Sequence, residues 1–416
     1  MLAISIMREA RRSGLQADAL TLVGSVRRFA PEIDEISLLC IVRTTRHQHV
    51  LKDFAHLPAA LAVTAQSGSS VTIDTQRGAV TLHVADPEHA GAALVWHTGS
   101  SAHLEQLARR AELLALRFDN AALVRTDGTR IPSASEEELY ARLDLPYIAP
   151  ELRGGDGEIE AASRGELPRL VSESHIRGDL HTHSTWSDGR DSIADMVGAA
   201  RQLGYEYIAI TDHSERAWSS RTLTNRDIDR QREEINEVRS RARNIDVLHG
   251  VEVDIMRDGT LDFDDTALAR FDVVLASLHD PDGHDGARLT ERYLTAIHHP
   301  LVNIITHPAN RSPGHSGGYA LDFDRLFAAA AETGTAMEID GAPGHLDMDG
   351  ALARRAAAAG VTVVVDSDCH RIDGLARQMQ FGIGTARRGW IEPDHVLNTR
   401  TVDDVRAFIT RKRERS

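Results

Sequence analysis

A chain of 416 residues, 42% of them apolar, is long enough for two domains, yet no apolar stretch approaches the ~20 residues of a bilayer span, so membrane residence is not expected. A formal net charge of −15 argues against indiscriminate nucleic-acid binding, which needs clustered Lys and Arg, unless bound cations reverse the local field. Two cysteines, Cys40 and Cys369, exclude a disulfide framework and a Cys-based zinc motif, and Met1 to Arg12 lacks the apolar core of a secretion signal, which points to the cytoplasm.

In chain order, Leu20 to Val26 and Ile36 to Val42 are expected as β runs. Val71 to Asp74 and Ala79 to Val84 read as a hairpin around Gln76, Arg77 and Gly78, and Ala102 to Leu116 has helical spacing. This predicts a small α+β domain over residues 1–150. The Pro- and Gly-dense stretch from Pro146 to Gly157 then marks an ordered loop, and 151–175 is expected as the connection.

From 176 to 416 short β-rich runs alternate with helical segments, the pattern of parallel βα units. The runs are Gly178–His183, Tyr207–His213, Val247–Asp254, Val273–His279, Val302–His307, Ala336–Asp340 and Val361–His370. Helices are predicted at Ser192–Leu203, Asp227–Arg243, Phe323–Thr333 and Gly350–Ala359. About seven parallel βα units are expected, as in an α/β barrel.

Nearly every run closes with a potential metal ligand: Asp179-Leu-His181-Thr-His183, Thr211-Asp-His213, Glu252-Val-Asp254, His279, His307, Glu338-Ile-Asp340 and Asp368-Cys-His370. The carboxyl ends of parallel barrel strands share one face, so residues far apart in sequence would meet there. Side chains at i and i+2 share a side, which pairs His181 with His183 and Asp368 with His370. A lone His or Asp usually caps a turn or sits satisfied in a core, but packing does not explain seven such endings, because unpaired buried charge is costly. Imidazole and carboxylate without thiolate suit zinc, manganese or iron. His284, His298, His299 and His315 lie in loops or at helix ends and are expected on the solvated surface, with Cys369 as buried packing.

His181-Thr-His183, Ser187-Asp188-Gly189, Thr211-Asp-His213, Glu252, His279, His307 and Asp368-Cys-His370 together resemble the PHP (polymerase and histidinol phosphatase) domain. That resemblance implies a distorted (β/α)7 barrel holding two or three divalent ions on His181, His183, Asp188, His213, Glu252, His279, His307, Asp368 and His370. Glu252 would bridge two of them and Glu338 would support a ligand, while Asp340 stands where the family usually has Asn. Glu252, Asp188 and Arg311 are the candidate catalytic residues, Arg311 because a guanidinium matches phosphate geometry. Clustered cations would make a nucleophilic hydroxide available and stabilise both entering and leaving oxygens of a phosphate ester.

The first domain carries a second resemblance. Gly24-Ser25-Val-Arg27-Arg28, Val95-Trp-His-Thr98-Gly99-Ser100 and Leu143-Asp-Leu-Pro-Tyr147 through Arg153 are similar to the palm and thumb of bacterial family X DNA polymerases, which end in a PHP domain. By that resemblance the chain is expected to begin at the palm, without the lyase and fingers regions of that family. An ungapped match puts Glu35 and Ser37 at its paired aspartates and Thr81 at the third, with Glu32 and Asp34 as an alternative pair. A nucleotidyltransferase-like remnant with negligible polymerase activity is therefore predicted, its Arg27 and Arg28 expected as a solvated pair or as phosphate contacts.

The function expected first is hydrolysis of phosphodiesters, as a 3′–5′ exonuclease or DNA 3′-end-processing enzyme with DNA as partner. The alternative is a phosphomonoesterase on a small metabolite, of the histidinol phosphate or nucleotide phosphatase type. A non-enzymatic scaffold with structural metals is disfavoured, because structural sites close their coordination with fewer ligands.

Overall fold

The computed structural model describes residues 2–15, 20–33, 35–217, 219–281 and 283–414. They form two compact units, divided between Leu167 and Pro168.

The first unit is built on five strands, β1 (Leu20–Val23), β2 (Ile36–Ile41), β3 (Ala62–Gln66), β4 (Ser70–Thr75) and β5 (Gly78–Ala85), in the order β1-β2-β5-β4-β3. β4 and β5 are the expected hairpin, with Thr75 opposite Gly78. The run expected from Leu20 to Val26 stops early: Gly24 has φ +70°, a conformation that breaks the strand, and Gly24–Arg27 form one helical turn. One sheet face, including Leu38, Val71, Val80 and Leu82, packs on Val50, Leu51 and Phe54 of the helix Thr44–Ala55.

Beyond the sheet come helices Ala90–Thr98 and Ser101–Leu113 and a small antiparallel sheet of β6 (Leu116–Asp119), β7 (Ala122–Arg125) and β8 (Arg130–Ile131). The helix predicted to run to Leu116 ends at Leu113, because Leu116 already pairs with Arg125. Residues expected as a plain connection include the helix Glu158–Arg164, whose Glu158 Oε1 accepts from His103 Nδ1 at 2.6 Å. Arg27 is not a solvated residue. Its guanidinium forks onto Glu136 at 2.6 and 2.9 Å, and fully buried Arg153 reaches the same carboxylate at 2.5 Å.

The second unit is a parallel sheet of seven strands: β9 (Gly178–Asp179), β10 (Tyr207–Ile210), β11 (Asp246–Asp254), β12 (Val273–Ser277), β13 (Ile304–Ile305), β14 (Ala336–Asp340) and β15 (Val363–Asp366). They follow chain order from β9 to β15, one for each predicted run. The sheet nearly closes on itself. Across the seam, His183 N–H donates to Cys369 O at 2.9 Å, and the Asn398 side chain donates to both Gly178 O (2.9 Å) and Val365 O (2.6 Å). The four predicted helices form as Ile193–Gln202, Ile228–Arg241, Phe323–Thr333 and Gly350–Ala358; Ser192, Asp322 and Asp349 accept N-terminal N–H groups of three of them.

Alternation along the strands separates two apolar clusters. Tyr207, Ala209, Leu248, Leu275, Ile304, Ala336 and Val364 point inward, while Ile208, Ile210, Val363 and Val365 pack under the helices. Val405, Phe408 and Ile409 of the C-terminal helix Val402–Glu414 join the inner cluster, each contributing roughly 1.5–3 kcal/mol by burial.

Candidate metal centre

The inward stripe changes character towards the carboxyl ends. Counting by twos from apolar Leu248, Ala336 and Val364 leads to Glu252, to Glu338 and Asp340, and to Asp366 and Asp368, all buried. At the mouth these acids meet the predicted histidines.

Glu252 lies at the centre, fully buried. Its Oε2 stands 2.7 Å from His213 Nδ1, 3.4 Å from His181 Nε2 and 3.6 Å from His183 Nε2. Its Oε1 is 3.0 Å from His307 Nε2 and 3.6 Å from His279 Nε2. Asp368 Oδ1 approaches His183 Nε2 at 3.1 Å, and Asp188 Oδ1 lies 3.2 Å from His370 Nε2 and 3.6 Å from His213 Nε2. All nine residues expected as ligands are thus brought together. Eight of them fall into three overlapping groups, His181, His183 and Asp368; His213, Glu252 and His279; and His183, Asp188, His213 and His370, while His307 joins through Glu252 Oε1.

These atoms suit cations better than one another. Ligands sharing a tetrahedral ion at about 2.0–2.1 Å stand roughly 3.3 Å apart, the spacing seen here. His213 Nδ1 and Glu252 Oε2, though 2.7 Å apart, lie outside hydrogen-bonding geometry, and Asp188 Oδ1 and His307 Nδ1 also lack a hydrogen-bond partner. Buried polar atoms left so are costly, and a cation offers the missing partner. Burial, with His370 and His213 beside it, pushes His183 down to about 3, which leaves its imidazole neutral with a lone pair to give. Burial works against ionised Glu252, but His213 and His181 hold its carboxyl well below the usual range.

The surrounding residues fix the rings. Glu338 accepts from His181 Nδ1 at 2.7 Å with one oxygen and from the His307 backbone N–H at 2.8 Å with the other. Asp254 accepts from His279 Nδ1 at 2.9 Å, turning Nε2 towards Glu252. Asp212 takes five hydrogen bonds, from Ser184 and Ser187 backbone and hydroxyl groups and from Gln231, and so shapes the loop carrying Asp188. In that loop Gly189 admits no side chain, since a Cβ would come within 2.6 Å of Ser184 N and O. His307 and Asp368 take left-handed backbone, φ 25° and 47°, a strain that clusters at functional sites.

Asp254, named only as a run end, and Asp212 and His345, which stacks on His307 at 4.9 Å between ring centroids, are given no role by the sequence. The first was detectable, two residues beyond Glu252 on one strand. Arg311 is not brought into the cluster. Its Nη1 lies 3.5 Å from both Asp349 Oδ2 and Leu346 O, so it would have to leave them to meet a phosphate. Cys369 is buried and its thiol donates to Arg371 O at 2.8 Å. His298 and His315 are exposed, whereas His284 and His299 are half-buried, the latter paired with Asp265.

In the first unit, Ser37 and Thr81 are paired across β2 and β5, next to Glu35. Ser37 Oγ donates to Glu35 Oε1 at 3.0 Å, and Thr81 and Thr72 hydroxyls bond each other at 2.9 Å. Of the alternative pair, Glu32 is exposed and Asp34 lies outside the described residues.

An open barrel whose strand ends gather such donors defines a metal-dependent hydrolase. Residues 179–331 match the PHP domain and residues 93–154 the DNA polymerase beta thumb. The DNA polymerase/3′-5′ exonuclease PolX of Bacillus subtilis is 35% identical over 93% of this chain and 68% of its own length. A "probable phosphatase" of Thermoanaerobacter is 28% identical over 57% of this chain and 96% of its own, and one of Shewanella is 33% identical over 46% and 75%. The chain belongs to the family X DNA polymerases that carry a PHP domain, and its barrel is a hydrolase of phosphate esters. No helix among the described residues is long and apolar enough to cross a membrane.

Proposed function

We propose that the barrel cleaves phosphodiester bonds at DNA 3′ ends, as a 3′–5′ exonuclease or end-trimming enzyme, and that the chain has lost polymerase activity. The observation that carries the hydrolytic reading is the convergence of three ligand groups that share His183 and His213 around one buried carboxylate, Glu252. His181, His183, Asp188, His213, Glu252, His279, His307, Asp368 and His370 would hold two or three divalent ions of zinc, manganese or iron, with Glu252 presenting one oxygen towards His213 and the other towards His307. Such ions supply Lewis acidity towards a phosphoryl oxygen and bring the pKa of water towards neutrality. The chain's part is to hold His183 neutral and Glu252 ionised and to lock rings through Glu338 and Asp254.

DNA as substrate is supported by the thumb match and by the PolX relative. Loss of polymerisation is supported by the replacement of acids on the sheet, where Ser37 and Thr81 offer hydroxyls and Glu35 one carboxylate. A second reading, a phosphomonoesterase on a small metabolite, is favoured by the phosphatase relatives matched over most of their own length.

The test is a screen of the metal-supplemented chain on labelled single strands, duplex ends and small phosphate monoesters, beside His181→Ala and Asp368→Ala. Shortening of DNA that both substitutions abolish is the expected result. Phosphate release from monoesters with intact DNA would select the second reading. Primer extension by the wild type that disappears in Glu35→Ala would refute the loss of polymerisation.

A further inference from the structure

We infer that Asp340 and His345, together with Asp368, form an additional divalent-cation position at the barrel mouth, which shares Asp368 with the His181–His183 group and is otherwise separate from the three groups around Glu252. This rests on reading that mouth as a metal centre. One ligand atom from each of the three residues lies within 4.8 Å of the other two.

Asp340 ends the inward stripe of β14 and is fully buried. Its Oδ1 caps the following turn, accepting from Ala342 N–H at 2.6 Å, but its Oδ2 has no hydrogen-bond partner. A buried acceptor without a donor costs roughly 1–3 kcal/mol, more when charged. Turn capping explains one oxygen only, and the Arg311 guanidinium is turned to Asp349 and Leu346. A cation between Asp340 and Asp368 would satisfy the second oxygen.

His345 is placed to complete the group. Its Nδ1 is buried and without a hydrogen-bond partner, and its ring lies nearly parallel to that of His307, at 19°. The loop that carries it is pinned, since His345 and Leu346 N–H donate to Ala342 O at 3.0 and 2.8 Å and Asp340 N–H donates to Asp347 O at 2.5 Å. A ligand on so constrained a loop needs little reorganisation to bind. Two carboxylates and one imidazole make this position harder than its histidine-rich neighbours, so manganese is the ion it fits best.

The test counts total divalent metal by plasma mass spectrometry after equilibrium dialysis of the full chain against manganese chloride. Wild type is compared with Asp340→Asn, His345→Ala and, as reference for the main centre, His181→Ala, each checked for folding by thermal unfolding. Asp340→Asn and His345→Ala are expected to bind about one equivalent fewer than wild type. Equal metal content in wild type and either folded variant overturns the additional position and leaves the main centre standing, while wild type without bound metal overturns both. Should Asp340→Asn not fold, His345→Ala, on a half-exposed loop, decides alone.

Discussion

At the barrel mouth, carboxylate and imidazole atoms converge from seven strands, and several find no hydrogen-bond partner. On the Ser37–Thr81 side of the first unit's sheet the polar groups have found each other, Ser37 with Glu35 and Thr81 with Thr72. Both places sit where phosphoryl chemistry would need clustered acids. Under the proposed loss of polymerase activity, the difference teaches how a retained ion site and a lost one differ: the first keeps costly lone pairs aimed at common points, and in the second hydroxyls pair locally, one with another and one with Glu35.

The contrast can be broken most directly by removing metal. Chelation should abolish phosphate-ester hydrolysis, and Asp368→Ala should lower kcat by about 10²–10³-fold, the usual loss for one electrostatic stabiliser. Activity that survives both, measured on the same substrate, would mean that the mouth is not the catalytic centre.

The first unit has its own dense charge cluster, and it makes a sharper control. Glu136 accepts from Arg27 and Arg153 with almost no exposure, and removing one partner of a buried ion network costs about 3–5 kcal/mol. Glu136→Ala should therefore lower that unit's calorimetric transition without demetallating the barrel. Burial opposes ionisation of Glu136, but the two guanidiniums win and hold its carboxyl below the ordinary range. A depressed folded value stabilises above the unfolded carboxylate range and is lost as pH falls through the folded value. The gap between wild type and Glu136→Gln should then close in acid, and a gap that widens instead would reverse the assignment.

The barrel was legible because its β-branched runs end in ligand-type residues, and each run became one strand. The same rule hid the small sheet of the first unit, whose strands of two to four residues are too short to show alternation. Arg27 was misjudged because its partner Glu136 is 109 residues away, a contact that tertiary folding alone creates. Asp254 and Glu338 share the inward parity of known positions, whereas the work of Asp212 depends on Ser184, Ser187 and Gln231 closing around it.

Glu338 offers a subtler test at the mouth, because it touches no substrate and acts through His181 and His307. Glu338→Gln keeps the shape but replaces one accepting oxygen with an amide that cannot serve both donors. Metal affinity should fall 10–100-fold, the usual cost of losing such support, with hydrolysis restored by added metal. Unchanged affinity in a competition titration would reduce Glu338 to a packing residue.

The smallest effect belongs to the sheet. Glu35 is exposed and accepts one hydrogen bond, from a Ser37 hydroxyl that is only 2% exposed. Losing that bond in Glu35→Ala should cost about 1 kcal/mol, read by urea unfolding. Phosphate-ester hydrolysis should stay within about twofold, well inside the tenfold that each 1.4 kcal/mol represents. A large drop in hydrolysis with the barrel's metal content intact would make the carboxylate more than a local partner for Ser37 and would end the contrast between the barrel mouth and the sheet.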